Sequence, residues 1–212
     1  VGDKWGELNK QEYAVARYVG KMRRAKNRAD GRRDMKKSPL NGLEIDQDAA
    51  AGELYIAKLL NVWPDLECVY QYGLADGQLA TGERYDVKLC RNLSENKPPL
   101  LANTWDDEHE STIYILAHGR GRKFRGVGWC WSVDLFDPAR LEWYWQGTAN
   151  EKQLYVMPCS ELRPLKELRE AGRQGTVTSL IEGVGPEMAA WLGRYDKLTK
   201  GGDEVGDRIG NE

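Results

Sequence analysis

Apolar residues recur between Lys10 and Ala29 at the step of an α-helix: Tyr13, Ala16, Val19 and Met22 lie three apart, and only Gly20 interrupts. This pattern predicts a first helix ending at Asp30-Gly31. A second helix is predicted over Gln47 to Asn61, with Asp46 or Asp48 as its cap and Pro64 beyond its end. On that helix Glu53 shares a face with Ala49, Ala50, Ile56, Ala57 and Leu60, so a carboxylate sits on the stripe that should enter the core. It either meets a partner there or reaches solvent at the stripe's edge.

The period then changes to two. Glu67 to Tyr72 and Arg84 to Cys90 read as strands of a hairpin, separated by Gly73, Asp76-Gly77 and Thr81-Gly82. In the second strand the alternation puts Tyr85, Val87 and Leu89 on one face and Arg84, Asp86, Lys88 and Cys90 on the other. Thr112 to Ala117 is an unbroken apolar run that suits a central strand, and Gly126 to Val133 suits another. Leu154 to Met157 adds a short strand, after which Ser160 caps a helix running through Arg169 to Gly172. Trp129 with Trp131, and Trp143 with Trp145, are spaced as pairs on a strand face and are expected to pack in the core rather than stack on bases. Strands interleaved with helices give an α/β fold with a mixed sheet flanked by helices.

Composition narrows the class. With 212 residues, 41% hydrophobic and 30% charged, the chain can bury a core without staples, and it has no apolar run of the ~20 residues a membrane helix needs. No signal-peptide pattern opens it, so a cytoplasmic location is expected. Cys68, Cys90, Cys130 and Cys159 are scattered and the histidines are His109 and His118, a spacing that argues against a structural zinc site.

The net charge of -2 conceals segregation. Lys21, Arg23, Arg24, Lys26, Arg28, Arg32, Arg33, Lys36 and Lys37 crowd one stretch against Asp30 and Asp34 alone. Such a run is either a solvated helix face or an arm that contacts phosphates. Acidic patches follow at Glu44, Asp46 and Asp48 and at Asp106 to Glu110, and the tail from Gly201 to Glu212 is acidic.

Glu53, Asp76 and Asp86-Val87-Lys88 form an ordered set E…D…DxK. Clustered carboxylates hold hard Mg²⁺ ions through oxygen, and an ammonium two residues from a ligand on the same strand face is placed to orient water or stabilise charge on phosphorus. These residues resemble the PD-(D/E)xK nuclease superfamily, the restriction-endonuclease-like phosphodiesterases, over roughly Gly42 to Leu165. The stretches GELYIAKLLN, YDVKLCRN, IYILAHG and GVGWCW are similar to those of small phage-encoded members. The resemblance implies a core of a Glu-bearing helix, a hairpin carrying Asp and DxK, then a helix and a further strand. It further implies Glu53, Asp76 and Asp86 as metal ligands, the Val87 carbonyl as another, and Lys88 as the catalytic lysine, with Mg²⁺ or substituting Mn²⁺. Ala75 stands where that family has proline before its Asp, and Asp65 after Pro64 is a rival for the first acidic position.

Thr178 to Tyr195 carries Gly183-Val184-Gly185 followed by Pro186, with Ala189 and Leu192 as packing positions. It resembles a helix-hairpin-helix DNA-binding motif, the alternative being an ordinary αα-turn with a glycine cap. The expected organisation is a basic helical arm (1–41), a nuclease-like core (42–172), a helical hairpin (173–198) and an acidic tail (199–212). The expected function is a Mg²⁺-dependent DNA nuclease of phage type. It would contact DNA through Arg23, Arg24, Lys26, Arg28, Arg32, Arg33 and the 183–185 hairpin, and would work as a homodimer that supplies a second hairpin and a second centre. The alternative is a non-catalytic DNA-binding or assembly protein of the same fold.

Overall fold

In the computed structural model, residues 3–31, 42–66, 75–80, 82–106, 111–146 and 151–172 are described. Strand β1 (Gly6–Glu7) leads to helix α1 (Lys10–Ala29), whose start is fixed by a capping box: Glu12 N–H donates to Asn9 Oδ1 at 2.8 Å and Asn9 N–H to Glu12 Oε2 at 2.7 Å. Helix α2 (Gly42–Leu60) begins earlier than the sequence suggests, so Asp46 and Asp48 lie inside it and cap nothing. Each is committed elsewhere: Asp46 Oδ2 to Arg24 Nη1 at 2.9 Å, Asp48 to Arg91 and the Gly121 N–H. The two helices pack antiparallel, Lys58 pairing with Glu12 at one end and Arg24 with Asp46 at the other. Gly20, read from sequence as a weak point, is where the backbones meet. A Cβ there would lie 2.6 Å from the Asp46 carbonyl oxygen.

Strands β2 (Gly77–Gln78), β3 (Arg84–Cys90), β5 (Ile113–Arg120) and β6 (Lys123–Trp131) join β1 in a five-stranded mixed sheet of order β1-β6-β5-β3-β2. The β3–β5 pair is parallel and the others antiparallel, and β5 is central as its apolar run predicts. Strand β4 (Leu100–Asn103) leaves this sheet to pair with β8 (Lys152–Met157), which also pairs with β7 (Leu141–Tyr144). The described residues between β3 and β5 thus form a strand of a second sheet where the family resemblance implies a helix. The one-turn α3 (Ser132–Leu135) begins at Ser132, so β6 stops two residues short of the predicted Val133. Ser160 falls in a 3₁₀ turn, Cys159–Glu161, and the final helix α4 (Lys166–Gly172) starts only after Pro164. Arg163 bonds there to β6 through Trp129, which holds the intervening segment extended.

Alternation along β3 and β5 divides the core in two. Tyr85, Val87, Ile113, Ile115 and Ala117 face α2 with Ala51, Leu54 and Ile56, while Tyr114 and Leu116 face the second sheet with Leu100, Ala102 and Met157. Each such Leu or Ile side chain, fully buried, stabilises the fold by roughly 1.5–3 kcal/mol. Trp129 joins the helix-side core as predicted, with Trp131 packed edge-on to it at 5.0 Å. Trp143 and Trp145 do not: they are 53% and 49% exposed, because β7 is an edge strand and Trp145 lies past its end at φ 53°. No helix among the described residues is long and apolar enough to cross a membrane.

Candidate active site

The DxK alternation holds in three dimensions. Asp86 and Lys88 project to the second-sheet side of β3, and Lys88 Nζ lies 3.1 Å from Asp86 Oδ1. A second carboxylate completes the arrangement. Asp106, 2% exposed, accepts from Lys88 Nζ at 2.8 Å and from the Asn103 N–H at 2.8 Å, while Tyr114 Oη donates to its carbonyl at 2.8 Å. Burial alone would lower the Lys88 pKa, but Asp86 and Asp106 outweigh it and hold the ammonium above its usual range. Asp106 lay hidden inside an acidic run, and nothing in local spacing ties it to Lys88. The link exists because β4 ends just before Asp106 and sets it opposite β3.

Asp76 lies immediately before β2, at the edge of the main sheet. Its N–H donates to the Tyr85 carbonyl at 2.9 Å, and its Oδ2 accepts the Val87 N–H at 2.7 Å. The two-residue β2 is too short to reach Val87, so the carboxylate takes the place of a ladder acceptor. Glu53 approaches from the other side of the sheet, on α2. The three carboxylates therefore straddle the edge of β3: Glu53 on the helix side, Asp86 on the far side and Asp76 between. Their mutual repulsion is felt at Asp76, whose carboxyl is pushed well above the carboxylate range by burial first and then by Glu53 and Asp86.

Each outer carboxylate has a cation. Lys88 serves Asp86, and Arg23, brought across from α1, serves Glu53 at 2.5 Å with both side chains 15% exposed. The partner that a carboxylate on the core stripe requires is thus Arg23, the second cation of the basic run. Asp65, the rival acidic position, also faces this arginine at 3.6 Å. Among the described residues no group of three or more His, Cys, Asp or Glu side chains stands ready to hold a metal ion. The donor set is nevertheless chemically suited to Mg²⁺, being all carboxylate oxygen, and the crowding at Asp76 is of the kind that a cation relieves.

The basic run divides. Arg23 and Arg24 are turned inward onto Glu53 and Asp46, Lys26 pairs with Asp30 at 2.7 Å, and Lys21 and Arg28 lie exposed on α1. Arg32 and Arg33 lie outside the described residues, as do the predicted strand Glu67 to Tyr72 and the whole segment carrying Gly183, Val184 and Gly185.

Cys90 and His118, which face each other across β3 and β5, form no catalytic pair. His118 Nδ1 accepts from Arg125 Nε at 3.1 Å, so its Nε2–H donates to the Asn92 carbonyl at 2.9 Å, and burial raises the Cys90 thiol. Comparison with protein-family models, with curated proteins and with solved structures gives no match.

Proposed function

We propose that this protein is a Mg²⁺-dependent DNA nuclease that hydrolyses phosphodiester bonds at the edge of β3. The observation that carries the reading is the convergence on Asp76 of Glu53 from α2 and Asp86 from β3, with the Lys88 ammonium 3.1 Å from Asp86. The order of these residues along the chain is that of the PD-(D/E)xK nucleases.

Glu53, Asp76, Asp86 and the Val87 carbonyl are the groups that would hold the metal. When bound, it supplies Lewis acidity toward a phosphoryl oxygen and a water of lowered pKa. Lys88 does the rest with its charge. Because Asp86 and Asp106 keep it protonated, it is no general base; it stabilises negative charge building on the phosphoryl or leaving oxygen. Asp106 is a positioning residue, buried and hydrogen-bonded, that fixes the ammonium without entering the ligand set. Lys21, Lys26 and Arg28 on α1 are placed to meet backbone phosphates, which would make affinity fall with salt irrespective of sequence.

Incubation of plasmid and single-stranded DNA with the protein, in Mg²⁺ or in EDTA, tests this. Cleavage in Mg²⁺ alone is expected. Asp86→Asn should abolish it with DNA affinity retained, and Lys88→Ala should slow it by ~10²- to 10⁴-fold. The same cleavage rate in Asp86→Asn and the parent would end the assignment. One observation favours the alternative of a non-catalytic DNA-binding or assembly protein: Arg23 and Lys88 already neutralise the two outer carboxylates. Binding without cleavage in either buffer is the outcome that selects it.

A further inference from the structure

Two exposed tryptophans share one ammonium beside the DxK site. Trp145 follows β7 and is 49% exposed; Trp105 follows β4, is 40% exposed and directly precedes Asp106, the carboxylate that holds Lys88 Nζ at 2.8 Å. Lys152, at the start of β8, serves both rings. Its Nζ lies 5.7 Å from the centre of the Trp105 ring and 5.6 Å from that of Trp145, and it donates to Asn103 Oδ1 at 2.7 Å. Asn103 in turn donates its backbone N–H to Asp106 Oδ2 at 2.8 Å. Contacts therefore run without a break from Trp145 through Lys152, Asn103 and Asp106 to Lys88 and Asp86.

The second sheet assembles this group from three strands. Asn103 pairs with Leu154 and Tyr144 with Lys152, so the end of β4, the start of β8 and the end of β7 lie together. Alternation along β7 puts Trp143 and Gln153 on one face and Tyr144 and Lys152 on the other, and continuing it would return Trp145 to the side of Trp143. The left-handed backbone at Trp145, φ 53°, breaks that alternation, and the ring lies against Lys152 instead. Such a conformation is unfavourable for a bulky side chain and persists only where its surroundings hold it. Partly exposed rings around a fixed ammonium suit a ligand that is flat, apolar on its faces and joined to negative charge. A nucleobase on its phosphate is such a ligand. In a duplex the bases are already stacked on one another, so the rings match an unpaired strand.

We propose that Trp105 and Trp145, with Lys152, form a stacking platform for the bases of single-stranded DNA beside the centre at Asp86 and Lys88. This deepens the nuclease reading, rests on it for the polymer named, and makes an unpaired strand the preferred substrate. The rings bind without regard to sequence, because every base has a flat face, and Lys152 draws the backbone phosphates. The platform needs no metal, so single strands bind to it before any cation is present.

Fluorescence anisotropy of labelled oligothymidylate with the full-length protein in EDTA, against the same strand in duplex with oligoadenylate, provides the test. The parent should bind the single strand more tightly. Trp105→Ala and Trp145→Ala should each weaken single-strand binding by roughly 5- to 150-fold and leave duplex binding unchanged, and Trp145→Phe should keep most of the affinity. Variants that bind the single strand as the parent does, or that lose single strand and duplex alike, would overturn the platform. So would a parent that sediments as a dimer and alanine variants that sediment as monomers, since the rings would then join two copies of the chain. Cleavage in Mg²⁺ separates the two readings. Single-strand binding that depends on both rings, in a parent that cuts nothing, would support the platform and end the nuclease assignment; cleavage with ring-independent binding would do the reverse. A measurement on the unaltered chain covers the case in which a variant does not fold. Ultraviolet cross-linking to an oligonucleotide carrying 5-iodouracil should map to Trp105 and Trp145, and cross-links confined to other residues count against the proposal.

Discussion

Asp48 is 3% exposed on α2 and accepts from Arg91 Nε at 2.7 Å and from the Gly121 N–H at 2.9 Å. One side chain thus ties α2 to the end of β3 and to the β5–β6 turn. Removing one partner of a buried ion pair leaves a charge without its complement, which costs more than the pair contributes. Arg91 keeps some access to water, at 18% exposed, so the loss sits at the low end of the range. Asp48→Ala is expected to lower stability by ~3 kcal/mol, read as a fall in the urea midpoint at unchanged slope. A midpoint within error of the parent would show that this junction is held by packing alone. The sequence marked Asp48 only as acidic and as a cap; its use was settled by Arg91, forty-odd positions away in the chain and adjacent in the fold.

Among elements, the α1–α2 pair is the most exacting. Its predicted bounds at Lys10 and Ala29 agree with the structure because a three-residue apolar spacing, interrupted only at Gly20, is a local signal. The role of Gly20 is not local. Alanine normally favours a helix over glycine by about 1 kcal/mol, but here its Cβ would meet the Asp46 oxygen at 2.6 Å and the Gln47 Cα at 2.7 Å, backbone atoms that cannot rotate away. Gly20→Ala should therefore destabilise the protein, by about 1–3 kcal/mol, and weaken the Arg24–Asp46 pair at 2.9 Å. Chemical denaturation and a crystallographic comparison of the interhelical distance check it, and a stabilised variant would show that the helices part without cost. The strands show the same division. Period-two spacing assigned the faces of β3, whereas the exposure of Trp143 and Trp145 depends on β7 having, among the described residues, no neighbour on one side.

For the molecule as a whole, His118 gathers distant parts of the chain. It is 1% exposed on β5, contacts the Trp5 ring with centroids 5.3 Å apart, donates to Asn92 and accepts from Arg125 on β6, with Glu95 and Cys90 nearby. Burial first, and also Arg125, lower its pKa from the ordinary 6.5, against a smaller opposing pull from the Asn92 bond and Glu95. The unfolded chain, with its histidine back at the ordinary value, then takes up more protons than the folded one as pH falls below 6.5, so the fold loses stability in that window. Melting temperature should drop between about pH 7.5 and about pH 5.5 in the parent, and by less in His118→Gln, which has no proton to gain. Parallel declines in both proteins would assign the acid sensitivity to other groups.

The α/β class, the two long helices, the central position of β5 and the same-face placement of Asp86 and Lys88 were determined by the sequence alone. Each follows from residue spacing over a few turns or one strand, where the period of apolar positions directly reflects backbone geometry. The tertiary structure decided the rest of the site. Asp106 reaches Lys88 only because β4 leaves the main sheet, Arg23 reaches Glu53 only because Gly20 lets α1 lie on α2, and Asp76 bonds Val87 only because β2 stops after two residues. Charge pairing acts through space between segments far apart in the chain, and a linear pattern names the charges without saying which of them meet.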